Sequence, residues 1–210
     1  MGIFFNFGES VEGYDFKVIN ERDARASAGI MFLVGLLSVF SVFTLRTLLW
    51  AELFSITFII EFFIRTVINP KYAPYMMLGE LIVYHQEPDW VEAKPKQFAW
   101  FLGLILGAIM TFYILFDVIS LVRLSICFVC LALMFLESAF GICLGCILYQ
   151  KLKIKVEKCP GGVCDTTIKR SYDKRKLIGI LLFVGLFFMT YGSLRYFKYA
   201  HRPKIVIVDE

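Results

Sequence analysis

The chain has 210 residues, 59% of them hydrophobic and 19% charged, with a formal net charge of +4 at pH 7. An ordinary soluble domain has about 45–50% apolar and about 25% charged residues, whereas the mean hydropathy here is +0.71. These figures exclude a soluble globular enzyme, a disordered tail protein and a collagen-like fibre, and they point to a small polytopic membrane protein.

Residues 1–26 carry five acidic groups (Glu9, Glu12, Asp15, Glu21 and Asp23). They lack an apolar core followed by a small-residue cleavage site, so the expectation is a cytoplasmic N-terminal segment without a cleavable signal. Five apolar runs follow, at residues 27–44, 48–64, 98–116, 125–149 and 177–197. Each approaches the roughly 20 residues that cross a bilayer as a helix. No Gly or Pro separates the first two runs. A single helix over both would be about 60 Å long, twice the hydrocarbon thickness of about 30 Å, so a tight hairpin near Arg46 is expected. The predicted organisation is a four-helix membrane domain (27–150), a basic cytoplasmic loop (151–176), a fifth transmembrane helix (177–197) and a polar tail (198–210). The fold class is therefore an all-α integral membrane protein with one additional C-terminal transmembrane helix and a small cytoplasmic β-ribbon loop.

The basic residues set the orientation. Sixteen of the 22 lie in the N-terminal segment, in the loop between the second and third runs, and in the loop between the fourth and fifth. These regions are assigned to the cytoplasm, and the bilayer is the first partner. The loop at 69–96 holds Pro70, Pro74, Pro88 and Pro95, and its Tyr84 and Trp90 suit the membrane interface. From Leu152 to Val156 apolar residues alternate with Lys153 and Lys155, a period of two that predicts a strand. Cys159-Pro-Gly-Gly-Val-Cys164 then supplies a turn, and a second strand returns at 166–172. Residues 205–208 form a short β-prone tail. The excess of Lys and Arg in the 151–176 loop is explained by orientation and by anionic lipid. Nucleic acid is not an expected partner.

Several stretches are distinctive together. Asn20-Glu21 and Arg25-Ala26 precede the first run, and Glu61-Phe-Phe-Ile-Arg65 ends the second. Pro95-Lys96-Gln97-Phe98-Ala99-Trp100 opens the third. Leu136-Glu137-Ser-Ala-Phe-Gly141-Ile-Cys143-Leu-Gly145-Cys146 closes the fourth, followed by Tyr149. This pattern, over about residues 20–152, resembles the bacterial membrane family called domain of unknown function 4395. The resemblance implies a compact four-helix membrane domain in the bacterial inner membrane, and no established activity. It also implies association with thioredoxin-like and sulfurtransferase proteins.

The six cysteines fall in three pairs: Cys127-x2-Cys130, Cys143-x2-Cys146 and Cys159-x4-Cys164. On a helix, positions i and i+3 share a face, so each C-x2-C presents both sulfurs in one direction. The candidate catalytic centre is a cytoplasmic-side thiol site built from Cys143, Cys146, Cys159 and Cys164. The thiolate is the reactive form, and neighbouring cations such as Lys151, Lys153, Lys155 and Lys158 favour it. Such a site relays electrons or sulfane sulfur from a thioredoxin-like or sulfurtransferase partner through Cys159 and Cys164 to Cys143 and Cys146. The same four residues have the spacing of a structural zinc site, with zinc as the alternative cofactor in a membrane scaffold. The plainest alternative is that membrane cysteines are small apolar packing residues, which suits Cys127 and Cys130 best.

Glu137 falls near the middle of the fourth run. An ionised group there costs at least about 2.5–3.5 kcal/mol, so it should be paired, protonated or wet. With Gly141 and Gly145, which permit close approach of a helix or ligand, it forms the candidate binding set. Those residues with Glu52 support a second hypothesis, a small transporter or channel for an anion or sulfur compound. Glu61 and Arg65 are spaced to pair on one helix face. Glu52, Arg46, Asp117 and Arg123 lie toward the outer face and are read as a second cluster. His85 and His201 fall on opposite sides and make no metal site. No phosphate loop, HExxH or Ser-His-Asp arrangement is present.

Overall fold

The computed structural model describes residues 7–11, 14–116, 121–152 and 174–196. Cys159, Cys164, Asp117, His201, the expected ribbon after Leu152 and the 205–208 tail lie outside the described residues. The chain runs β1 (Val18–Asn20), α1 (Glu21–Leu45), α2 (Leu49–Phe63), α3 (Pro74–Ile82), β2 (Trp90–Glu92), α4 (Ala93–Leu115), α5 (Leu121–Phe135), α6 (Leu144–Lys151) and α7 (Lys174–Leu194). Wide π-helical turns extend α2 over Ile64–Ile68 and α5 over Leu136–Phe140.

Among the described residues, three helices are long and apolar enough to cross a membrane: Glu21–Leu45, Ala93–Leu115 and the continuous run Val122–Phe140. Large apolar side chains along them, such as Leu37, Phe40, Phe112 and Phe128, are more than half exposed. A soluble surface rarely tolerates such a band, whereas lipid tails accept it.

The first two apolar runs form the expected hairpin. Arg46 closes α1 in the left-handed region at φ 51°, and Ser38 and Ser41 return their hydroxyls to carbonyls of the turn before them. Three phenylalanines one turn apart, Phe54, Phe58 and Phe62, form a ladder on α2 whose last two rings stack at 4.4 Å. On α4, Gly103 and Gly107 make room for them. A Cβ at Gly103 would meet the Phe62 ring at 2.5 Å, and one at Gly107 would meet Phe58 at 2.8 Å.

At one end, β1 and β2 pair antiparallel with Val18 opposite Glu92 and Asn20 opposite Trp90. Each strand leads directly into a helix, so α1 and α4 begin at the same level. Asn20 fixes this junction: its side-chain oxygen accepts from the backbone N–H of Arg22 and of Asp89. Glu21 N–H donates to the Asp89 carbonyl at 2.7 Å. Trp90, expected at the lipid interface, is buried inside this junction instead.

Residues 69–96 were expected to be a loop, yet they contain α3, β2 and the first turn of α4. Pro74 starts α3, a position where its missing N–H costs nothing and its fixed φ is pre-organised. The helix lies against α1 at Gly79, where an added Cβ would meet Asp23 O and Ser27 N at 2.8 Å. A second correction concerns the fourth apolar run, which is not one helix to Tyr149. Gly141 turns left-handed at φ 69°, the chain becomes extended at Cys143, and α6 starts afresh.

Candidate functional site

The ribbon end of the bundle collects an unusual set of charges. Lys96, in the first turn of α4, has only 3% of its surface exposed. Its ammonium lies 2.8 Å from Glu137 Oε1 and 2.8 Å from Glu21 Oε2, and it also donates to Glu21 Oε1 at 3.0 Å. Three elements therefore meet on one cation: the start of α1, the start of α4 and the wide turn that ends α5. Burying a lysine is costly unless it is paired and hydrogen-bonded, and the two carboxylates meet that need. The sequence placed Glu137 alone near the middle of a span. The structure places it at the end of α5, in an ion pair.

The turn after Glu137 is held by backbone and by Arg25. Gly141 N–H donates to the Glu137 carbonyl and Ile142 N–H to the Leu136 carbonyl, both at 3.1 Å. Arg25 Nη2 donates to the Ala139 carbonyl at 3.4 Å, and its guanidinium occupies the space a side chain at Gly141 would take. Gly141 thus serves the turn. Gly145 serves packing: a Cβ there would sit 2.5 Å from Ala99 Cβ on α4. Phe98 and Tyr149 rings meet at 5.5 Å one turn further along the same contact.

Cys143 is the N-cap of α6 rather than a residue within a long helix, and its carbonyl accepts the first helical hydrogen bond, from Ile147. Cys146 stands three residues on, and its thiol donates to Cys143 Sγ at 2.7 Å. That hydrogen bond holds the Cys143 thiol below its ordinary range. Burial opposes this, the Lys96 ammonium adds to it, and the Glu137 carboxylate opposes it. Cys146 is pushed up, first by donating to Cys143 and then by burial. The positive end of α6 acts in the same sense on a thiolate at its cap. The pair is therefore poised to lose one proton readily and to keep the other. Lys96 and Glu21 belong to this site although the sequence reading did not select them. The available signal was a charged residue at the start of two apolar spans, in Asn20-Glu21 and Pro95-Lys96.

The other expected residues lie elsewhere. Cys130 is buried with Met110 and Ile114, and Cys127 lines a cavity near the far end of α5. Among the described residues no group of three or more His, Cys, Asp or Glu is arranged to hold a metal ion. The zinc set also requires Cys159 and Cys164, which lie outside the described residues.

A second buried ion pair has a structural assignment. Arg65 Nε donates to Glu61 Oε1 at 2.7 Å. The guanidinium lies 5.3 Å from the Phe62 ring centroid and 5.1 Å from that of Trp100. Glu61 also accepts from the backbone N–H of Tyr75 and Met76, so it caps α3 and ties it to α2. Burial pushes the Tyr75 phenol up; its hydrogen bond with Thr57 opposes this and the Glu61 charge adds to it.

The model of the family described as Domain of unknown function (DUF4395) matches residues 19–153. That is more than half of the chain, and the chain belongs to this family. No curated protein and no solved structure matches it.

Proposed function

Taking membership of the DUF4395 family as the starting point, we propose that the chain relays thiol electrons or sulfane sulfur at the cytoplasmic face of a bacterial inner membrane. In this reading α1, α2, α4, α5 and α7 cross the bilayer and the N-terminus is cytoplasmic. Cys143 and Cys146 form the membrane-facing pair. Cys159 and Cys164 form the partner-facing pair that meets a thioredoxin-like or sulfurtransferase protein. The observation that carries it is the Cys143–Cys146 pair, 2.7 Å apart and beside the buried Lys96 ammonium, which favours a thiolate on Cys143.

In electron transfer, a thiolate of the reduced Cys159–Cys164 pair attacks Cys146 Sγ of a Cys143–Cys146 disulfide. The S–S bond breaks, and Cys143 leaves as the thiolate that the Lys96 ammonium favours. The second thiol of the partner-facing pair then loses its proton and attacks the mixed disulfide. Cys146 takes a proton as it leaves, and Cys159–Cys164 remains as a disulfide that the partner's dithiol reduces again. In sulfur transfer, the Cys143 thiolate takes the outer sulfur of a persulfide and releases the donor as a thiolate. Electron transfer ends in one thiolate and one held proton and sulfur transfer begins from them, the state the pair favours.

The test is acid-trapped thiol labelling with mass readout on native membranes, with and without reductant, followed by trapping of mixed disulfides. Cys143, Cys146, Cys159 and Cys164 should divide into oxidised and reduced fractions that shift with reductant. Cys143→Ser and Cys159→Ser should each abolish the trapped partner. Trapping that survives both substitutions overturns the relay.

A further inference from the structure

The far end of the bundle holds a cavity of about 400 Å³ between the α1–α2 hairpin and α5, within the range of about 300–1,000 Å³ typical of ligand sites. Its walls include Val39, Ala51, Ile114, Cys127 and Leu131, and Arg123 is the one charged residue among the described lining residues. Arg123 Nη1 is shut off from solvent and has no hydrogen-bond partner among the described residues. Nor does Arg123 belong to any of the ion pairs found there. Arginine does not deprotonate in proteins, and a buried guanidinium N–H without an acceptor is costly. The walls call for an apolar chain, and the arginine calls for an anionic oxygen group at one end of it.

The route of entry is sideways. Phe43, Leu124 and Phe128 border the cavity and are 62%, 43% and 55% exposed, on helices whose outer faces contact lipid. A molecule already dissolved in the bilayer reaches the cavity without crossing water. We infer that this cavity binds an anionic phospholipid of the surrounding bilayer, its phosphate at Arg123 and one acyl chain between α1, α2 and α5. Guanidinium and phosphate are matched in charge and can form two parallel hydrogen bonds. The inference rests on the chain spanning a bilayer and is independent of the thiol chemistry at the opposite end of α5.

Native mass spectrometry of the full chain in non-ionic detergent tests it, with phosphatidylglycerol and phosphatidylcholine of identical chains as the probes. One phosphatidylglycerol should bind per chain, about tenfold or more tighter than phosphatidylcholine. Arg123→Gln should reduce that preference to nothing. Ala51→Phe, which fills the cavity and leaves the charge in place, should abolish binding of both lipids. Equal binding of the two lipids by the native chain overturns the inference. So does a preference that survives Arg123→Gln, retention of lipid by Ala51→Phe, or displacement of the lipid by millimolar inorganic phosphate, which would show that the acyl chain contributes nothing. If Arg123→Gln does not fold, the Ala51→Phe and phosphate measurements decide the matter by the same outcomes.

Discussion

Lys96 is held by charge as much as by packing, and its removal separates those contributions. Lys96→Met keeps the stem and deletes the ammonium, leaving Glu21 and Glu137 facing each other in a buried site. Breaking a buried pair from one side costs about 3–5 kcal/mol, so a loss of unfolding free energy of that order is expected in detergent. Adding Glu137→Gln to Lys96→Met should restore part of the loss, because it removes one of the two stranded charges. Cys143 supplies the matching pH prediction. Its pKa is lowered in the folded chain, chiefly by the Cys146 hydrogen bond. The contribution of its thiolate to stability is therefore present at high pH and disappears as pH falls through the lowered value. Alkylation of Cys143 should accordingly begin at lower pH than for an ordinary thiol near 8.5. Cys146→Ser replaces the thiol by a different donor and should change that onset, whereas Cys146→Ala removes the donor and should move it upward. An onset unmoved by Cys146→Ala would mean the hydrogen bond does not set the Cys143 reactivity.

At the scale of elements, the thiols are positioned by one close helix contact. Gly145 lets α6 approach α4 at Ala99, which keeps Cys143 and Cys146 beside Lys96. Gly145→Val should push α6 off α4 at a cost of about 1–3 kcal/mol, and should abolish partner trapping while the α1–α2–α4 core stays folded. Gly145→Ala with Ala99→Gly exchanges which side carries the methyl and should recover part of the trapping. This contact also shows what the sequence could reveal. The hairpin at Arg46 follows from bilayer thickness alone, and the Glu61–Arg65 pair from helical spacing; the structure contains both. The break at Gly141 was not legible in the same way, because a single glycine within an apolar run is compatible with an unbroken helix. What decides it is tertiary: the wide turn brings Glu137 to Lys96, and Arg25 fills the space beside the glycine. β1 and β2 are three residues each, too short for a period of two to register. α3 was hidden by the prolines around it, although Pro74 at its first position is a start signal. The cluster around Lys96 joins residues 21, 96 and 137, and no local pattern links positions so far apart.

For the whole molecule, the ribbon gathers one end and the hairpin turn the other. Lys17, Arg22, Arg25, Lys94 and Lys96 lie at or beside the ribbon end, with Lys151 beyond α5 on the same side. Arg46, Arg123 and Arg195 belong to the opposite end, Arg195 donating to Tyr191, whose ring meets Trp50 beside the hairpin. The excess of basic residues at the ribbon end is the basis on which that end is assigned to the cytoplasm, and it makes orientation the premise on which the thiol reading depends. A cytoplasmic thiol pair is kept reduced by the surrounding redox systems and must cycle to be useful; the same pair on the outer side would be driven to a disulfide. The measurement is labelling by a membrane-impermeant maleimide in a background with the six native cysteines replaced by alanine. Arg46→Cys, at the exposed hairpin turn, should label in intact cells. Glu87→Cys, in the exposed segment between α3 and β2, should label only after the cells are made permeable. The reverse pattern would put Cys143 and Cys146 in the oxidising compartment. The relay would then have to draw its partner from that side, and Lys96 would stabilise the thiolate released on reduction of a resting disulfide.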